Sequence, residues 1–195
     1  MMIKSTSSRA FTLVETLVAI SILTVAIIGP FVAIQNALMA SYAARDQLVA
    51  SMLAQEAIEY VRAVRDSNYI YIAYTPGTTR SWFYGLDSTG GTNCVDPDPN
   101  DSTPVRCMID TTQDTVTHCG SGGNGTCTAL NRSTANNVYT QASGHPATQF
   151  TRSVTLSAAT AEIPTREMRV TVVVSWMTGH RFYSITLTEV LAKWL

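Results

Sequence analysis

Hydrophobic and polar positions divide the chain into three regimes. From Phe11 to Ala44 the side chains are almost uniformly apolar: Glu15 is the only charge, and the 29 residues from Thr16 to Ala44 carry none. Beyond Arg45 the pattern turns amphipathic. Leu48, Val49, Met52, Leu53, Ala57, Tyr60, Val61 and Val64 recur at three- and four-residue steps, which predicts a helix over 45–68 with one covered face and an end at Ser67-Asn68. After that the period shortens to two. Tyr69 to Tyr74 reads as a strand closed by the turn signal Thr75-Pro76-Gly77, and Trp82-Phe83-Tyr84 as a further strand or a core plug. The clearest alternation is C-terminal. Phe150, Arg152, Val154 and Leu156 share one face of a strand, and Met168, Val170, Val172, Val174 and Trp176 share one face of the next. Following a turn at Met177 to His180, Tyr183, Ile185 and Leu187 do the same on a returning strand. Val190 to Leu195, with Trp194, reads as a short final element.

The apolar segment is long enough to span a bilayer. As a helix, its uncharged part runs about 43 Å, against a hydrocarbon core of about 30 Å. Lys4 and Arg9 are the only charges before it, which places the N-terminus in the cytoplasm and the chain beyond the helix outside. A cleaved secretory signal is the competing reading, but its apolar region is about 7–15 residues long. Here the small residues near Leu38 to Ala40 lie beyond a whole span. Gly29-Pro30 interrupts the run near its middle, and the missing proline N–H together with the weak helix propensity of glycine predicts a kink or a locally melted stretch. Glu15 is the puzzle, because an ionised group inside such a segment is costly and is by default functional.

The region from Asp87 to Gly144 is rich in Gly, Ser, Thr, Asn and Asp and reads as a long loop. All four cysteines lie in it, at Cys94, Cys107, Cys119 and Cys127. An even number clustered in an exported domain argues for two disulfides. Three pairings are open, the simplest being Cys94 with Cys107 and Cys119 with Cys127. Zinc is the rival, with His118 beside Cys119, but the close-paired ligand spacing is missing. Asp96, Asp98, Asn100 and Asp101 alternate like a calcium loop. The match then fails, since Asp101 stands where the sharp-turn glycine belongs and Cys107 where the bidentate glutamate belongs. A polar, proline-rich turn is the simpler reading.

Charge adds exclusions. Lys and Arg number 13 against 14 Asp and Glu, which gives no electrostatic case for a nucleic-acid partner. His118, His145 and His180 fall in loop or turn sequence, and Glu56 and Glu59 are read on a solvated helix face. No nucleophile has a nearby base, no glycine-rich stretch forms a phosphate cradle, and no cofactor is implied. The expected activity is therefore not enzymatic.

The string Arg9-Ala10-Phe11-Thr12-Leu13-Val14-Glu15, continuing into Thr16-Leu17-Val18-Ala19-Ile20, resembles the processing site of type IV prepilins and type II secretion pseudopilins. The resemblance implies cleavage between Ala10 and Phe11 by a prepilin peptidase that also methylates Phe11; the family usually has Gly where this chain has Ala10. It further implies that Glu15 takes the assembly position, where the new amine of a neighbouring subunit can meet its charge. The helix ending at Leu53 to Asn68 resembles that of PilV-type minor pilins. Together these imply an α+β pilin-like roll: a long N-terminal helix packed against a small antiparallel sheet, with disulfide-bearing loops. Residues 1–10 are then a leader, 11–44 the membrane and filament-core helix, and 45–195 the exported domain. The implied partners are the peptidase, other pilin subunits, an inner-membrane assembly platform and, before assembly, membrane lipid. A secretion pseudopilin is the near alternative. An anchored binding module that never polymerises and recognises a ligand through the 87–144 loops is the alternative of another class.

Overall fold

The computed structural model describes residues 12–88, 91–96, 104–158 and 166–193. Among these, one α-helix, α1 (Leu13–Tyr74), precedes eight strands: β1 (Val95–Asp96), β2 (Cys107–Asp110), β3 (Thr115–His118), β4 (Ala129–Arg132), β5 (Tyr139–Thr140), β6 (Ala147–Ala158), β7 (Glu167–Thr178) and β8 (Arg181–Ala192), with a short 3-10 turn at Ser121–Gly123. The chain forms two compact units that divide between Arg45 and Asp46. The first is helix alone. The second carries the rest of α1 and all the strands, and it is the expected α+β roll.

The three long strands are those whose alternation is clearest. β6, β7 and β8 pair antiparallel in sequence order, and Gly179-His180 closes the last hairpin with Gly179 at φ +63°, a conformation that glycine adopts without strain. Val154, Leu156, Val170, Val172, Val174 and Trp176 are buried on one face, as period two requires. The other edge of β6 is shared by three short strands in succession. Antiparallel β4 pairs with residues 147–151, antiparallel β2 with Val154, and parallel β1 with Leu156 and Ser157. The 87–144 region is thus no single loop. Its two- to four-residue strands are too brief for periodicity to reveal, and a long central strand supplies the edge that orders them.

Two further expectations are corrected. The helix ends at Tyr74, six residues beyond Asn68, and Tyr69 to Tyr74 is helical. Asn68 does not stop the helix because its polar groups are spent sideways: its buried amide donates to the carbonyls of Trp82 (3.3 Å) and Tyr84 (2.9 Å), which hold the next loop against the helix. Trp82-Phe83-Tyr84 is accordingly a turn, with Trp82 and Phe83 plugging the core. Thr75-Pro76-Gly77 provides the true stop, with Gly77 at φ +84°. The buried face of the helix is also rotated from the expected one. Ala50, Leu53, Ala54, Ala57, Ile58, Val61, Arg65 and Asn68 are buried, whereas Leu48 and Met52 are exposed. The helix α1 runs through Gly29 and Pro30.

Candidate functional site

The helix begins with a side-chain cap. Thr12 Oγ1 accepts a hydrogen bond from the Glu15 backbone N–H at 3.3 Å, and the Thr12 carbonyl accepts one from Thr16 N at 3.2 Å. Thr12 is therefore the N-cap and Glu15 the third helical residue, the spacing of a capping box. A carboxylate in the first turn also lies toward the positive end of the helix dipole, which favours it by about 0.3–1 kcal/mol. The Thr-x-x-Glu spacing is the sequence signal that marks this helix start.

From there to Tyr42 every large apolar side chain is at least 51% exposed. Thr16, Ser21 and Thr24 do not break the apolar surface, because each hydroxyl donates to the carbonyl three residues back at 2.8 Å. By length and composition this helix can cross a membrane. Its outer surface is hydrocarbon apart from one acid near the start and the exposed amides of Gln35 and Asn36. Ala10 and Phe11, the expected processing residues, lie outside the described residues, while Gly29 and Pro30 sit within the exposed helix.

The cysteines form Cys94–Cys107 and Cys119–Cys127, with Cα separations of 5.6 and 4.3 Å. All four sulfurs are thus covalently paired and none serves as a thiolate ligand. The first bridge ties the chain before β1 to β2, and the second closes the turn between β3 and β4. Loops of this length restrict the unfolded chain by about 3 kcal/mol each in the entropic account. Asp96 is buried in β1. Asp98, Asn100 and Asp101 lie outside the described residues, and among those described no cluster of three His, Cys, Asp or Glu side chains is placed to hold a metal.

Two polar centres inside the second unit were not anticipated. Arg152, read as one member of an apolar face, is 1% exposed. Its Nη1 donates to the Leu53 carbonyl at 3.0 Å and to Glu56 Oε2 at 3.2 Å, and its Nη2 donates to the Ile109 carbonyl at 2.6 Å. Burial pulls the Arg152 pKa below its usual value, and Glu56 opposes that pull. Glu56 is therefore not merely solvated as expected; it also accepts a hydrogen bond from Thr111 Oγ1. Glu59 is the exposed one, paired with Arg62 at 2.5 Å. At the end of β2, buried Asp110 accepts from Thr112 Oγ1 (2.6 Å), Thr112 N (2.9 Å), Thr140 Oγ1 (2.6 Å) and Gln141 N (2.7 Å). Tyr60 donates to Asp114 at 2.8 Å; burial first, and then that bond, raise its pKa.

Asp110 makes the domain acid-sensitive. Burial by itself would raise its pKa, but the hydroxyl and amide donors outweigh burial and hold it down at about 2, against an ordinary 3.8. A carboxyl depressed in the folded state contributes stability that is complete above its unfolded pKa and is lost as pH falls through the folded one. Between about pH 5 and pH 2 the chain is expected to lose about 2 kcal/mol more than Asp110→Asn does, read from urea midpoints at both pH values. Equal losses would refute this role for Asp110.

Among known proteins, residues 5–29 match the family model of the prokaryotic N-terminal methylation motif. The match takes in Ala10, Phe11, Glu15 and Gly29, and it supports a type IV pilin-like or pseudopilin-like protein. No curated protein and no solved structure matches the chain.

Proposed function

We propose that the chain is a structural subunit, most simply a minor pilin, of a type IV pilus. In this reading a prepilin peptidase cuts between Ala10 and Phe11 and methylates Phe11. The helix first holds the subunit in the cytoplasmic membrane with the strand-bearing unit outside, and then passes into a filament of like subunits. The observation that carries the reading is an apolar helix, exposed from Leu13 to Tyr42, that starts inside a methylation motif. Such a surface is stable only against lipid or against other helices. Glu15 is the assembly residue, its charge met by the amine that cleavage creates on a neighbour. Pro30 has no N–H for the Ala26 carbonyl, so Gly29-Pro30 is the place where the helix can open when packed. The subunit works by assembly rather than by turnover, and a secretion pseudopilus would use the same processing and helix.

Intact mass and N-terminal sequencing of the protein from its own cells test this. The expected mature chain begins at N-methylated Phe11 and lacks residues 1–10. A chain still beginning at Met1, or one beginning at Ser41 as a secretory cleavage would leave it, rejects the reading.

A further inference from the structure

Two side-chain ties fix how the last hairpin lies along the helix. Thr178 Oγ1 donates to Asp46 Oδ2 at 2.9 Å, and Arg62 Nη2 donates to Glu189 Oε1 at 2.6 Å and to Oε2 at 2.7 Å. From Asp46 to Arg62 the helix advances about 24 Å. From Arg181, the register partner of Thr178, to Glu189 the strand advances about 26 Å. The lengths agree, so β8 runs beside α1 in the same direction. The β7–β8 turn is therefore held at the level of Asp46, the second residue after the uncharged run ends at Ala44.

The surface at that turn differs from the rest of its sheet face. Along β8 the outward positions are Phe182, Ser184, Thr186, Thr188 and Val190, and Phe182 is directly paired with Met177 of β7. Phe182 is 70% exposed and Met177 52%. An aromatic and a thioether side chain thus stand side by side in solvent at the tip, next to exposed His180 and Arg181, while Ser and Thr occupy the positions behind them. An aromatic at the boundary with a cation beside it is the composition that settles at a bilayer interface. Asp46, which ties the tip to the helix, follows the last uncharged residue by two positions in the sequence.

We propose that the β7–β8 turn is a membrane-contacting foot: Phe182 and Met177 enter the headgroup layer of the bilayer, and Arg181 lies against its anionic phosphates. The contact props the domain on the membrane before the subunit enters a filament. It rests on the proposed spanning of a bilayer by residues 13–44, and the test separates the two. The full chain is reconstituted in vesicles of phosphatidylethanolamine and phosphatidylglycerol carrying brominated lipid, with bromines set either shallow or at the bilayer centre. Single tryptophans are added to the parent chain at Phe182, Met177, Tyr74 or Leu23, and the added fluorescence is measured.

The added signals of Phe182→Trp and Met177→Trp are expected to fall about twofold with shallow bromines. Tyr74→Trp, about 42 Å along the helix from Asp46, should be unaffected, and Leu23→Trp should respond to the central bromines. If Leu23→Trp is quenched while neither Phe182→Trp nor Met177→Trp is, the helix spans and the foot does not exist. A blue shift at Phe182→Trp without quenching means burial against protein, a second copy included, and also overturns the proposal. If Leu23→Trp is not quenched, the spanning reading fails and takes the foot with it.

Discussion

Glu15→Ala is expected to reduce the share of subunits recovered in sheared filaments about tenfold or more, with membrane insertion of the full chain unchanged. The reasoning starts from what surrounds the carboxylate. Among the described residues, every large side chain near it is apolar and exposed, so once helices pack, Glu15 leaves water with few other polar groups in reach. An ion buried alone costs several kcal/mol, whereas one paired with a cation is tolerated, and breaking a buried pair costs about 3–5 kcal/mol. The available cation is the amine that cleavage would leave on Phe11 of another subunit. Insertion into lipid is a separate matter, because a group in the first turn can reach the interface. Glu15→Ala should therefore insert as well as the parent.

Two companion changes separate charge pairing from helix capping. Glu15→Gln keeps the size and hydrogen-bonding ability of the side chain and loses its charge, so it should fail to incorporate nearly as badly as Glu15→Ala. Thr12→Ala removes the hydroxyl that accepts the Glu15 N–H, which costs about 1 kcal/mol at the helix start, and should incorporate almost normally. The measurement is the ratio of subunit in sheared filaments to subunit in membranes, by immunoblot. If Glu15→Gln incorporates like the parent, the carboxylate is only a capping group and the pairing role is wrong.

Which features were legible in the sequence depends on how far apart their causes lie. In β6, β7 and β8 each residue's environment is set by its parity and by a turn next door, so alternation alone finds them. On the helix, the buried stripe includes Ala50, Ala54 and Ala57, which are small and contribute little hydrophobic signal, and the polar Arg65 and Asn68. The larger Leu48 and Met52 pulled the expected face toward solvent. Tyr69 to Tyr74 alternates like a strand, yet it forms the last turns of α1. The Arg80 guanidinium, 4.4 Å from the Tyr71 ring and 4.1 Å from the Tyr84 ring, instead packs the loop back onto that helical turn. The apolar run, its acid and the motif around them were plain because they are contiguous. Arg152 and Glu56 were not, since they are 96 residues apart and neither has a meaning without the other.

That pair carries the largest stability effect expected in the strand-bearing unit. Arg152→Ala should destabilise it by about 4 kcal/mol, because it deletes a large, fully buried side chain and leaves a cavity lined by α1, β2 and β6. It also strips hydrogen-bond donors from the Leu53 and Ile109 carbonyls. Glu56→Ala should cost about 3 kcal/mol for a different reason: the cation stays buried and loses its counter-charge, although the two carbonyls still hold it. Arg152→Met tells volume from charge. It fills most of the space without requiring a partner, Glu56 is 38% exposed and can turn to water, and the net change should be within about 1 kcal/mol. Urea unfolding of the full chain in detergent, monitored by tryptophan fluorescence, gives all three values. The expected order of loss is Arg152→Ala, then Glu56→Ala, then Arg152→Met. Should Arg152→Met lose as much as Arg152→Ala, the guanidinium's bonds rather than its bulk hold the helix to the sheet, and the buried pair contributes stability that an apolar replacement cannot supply.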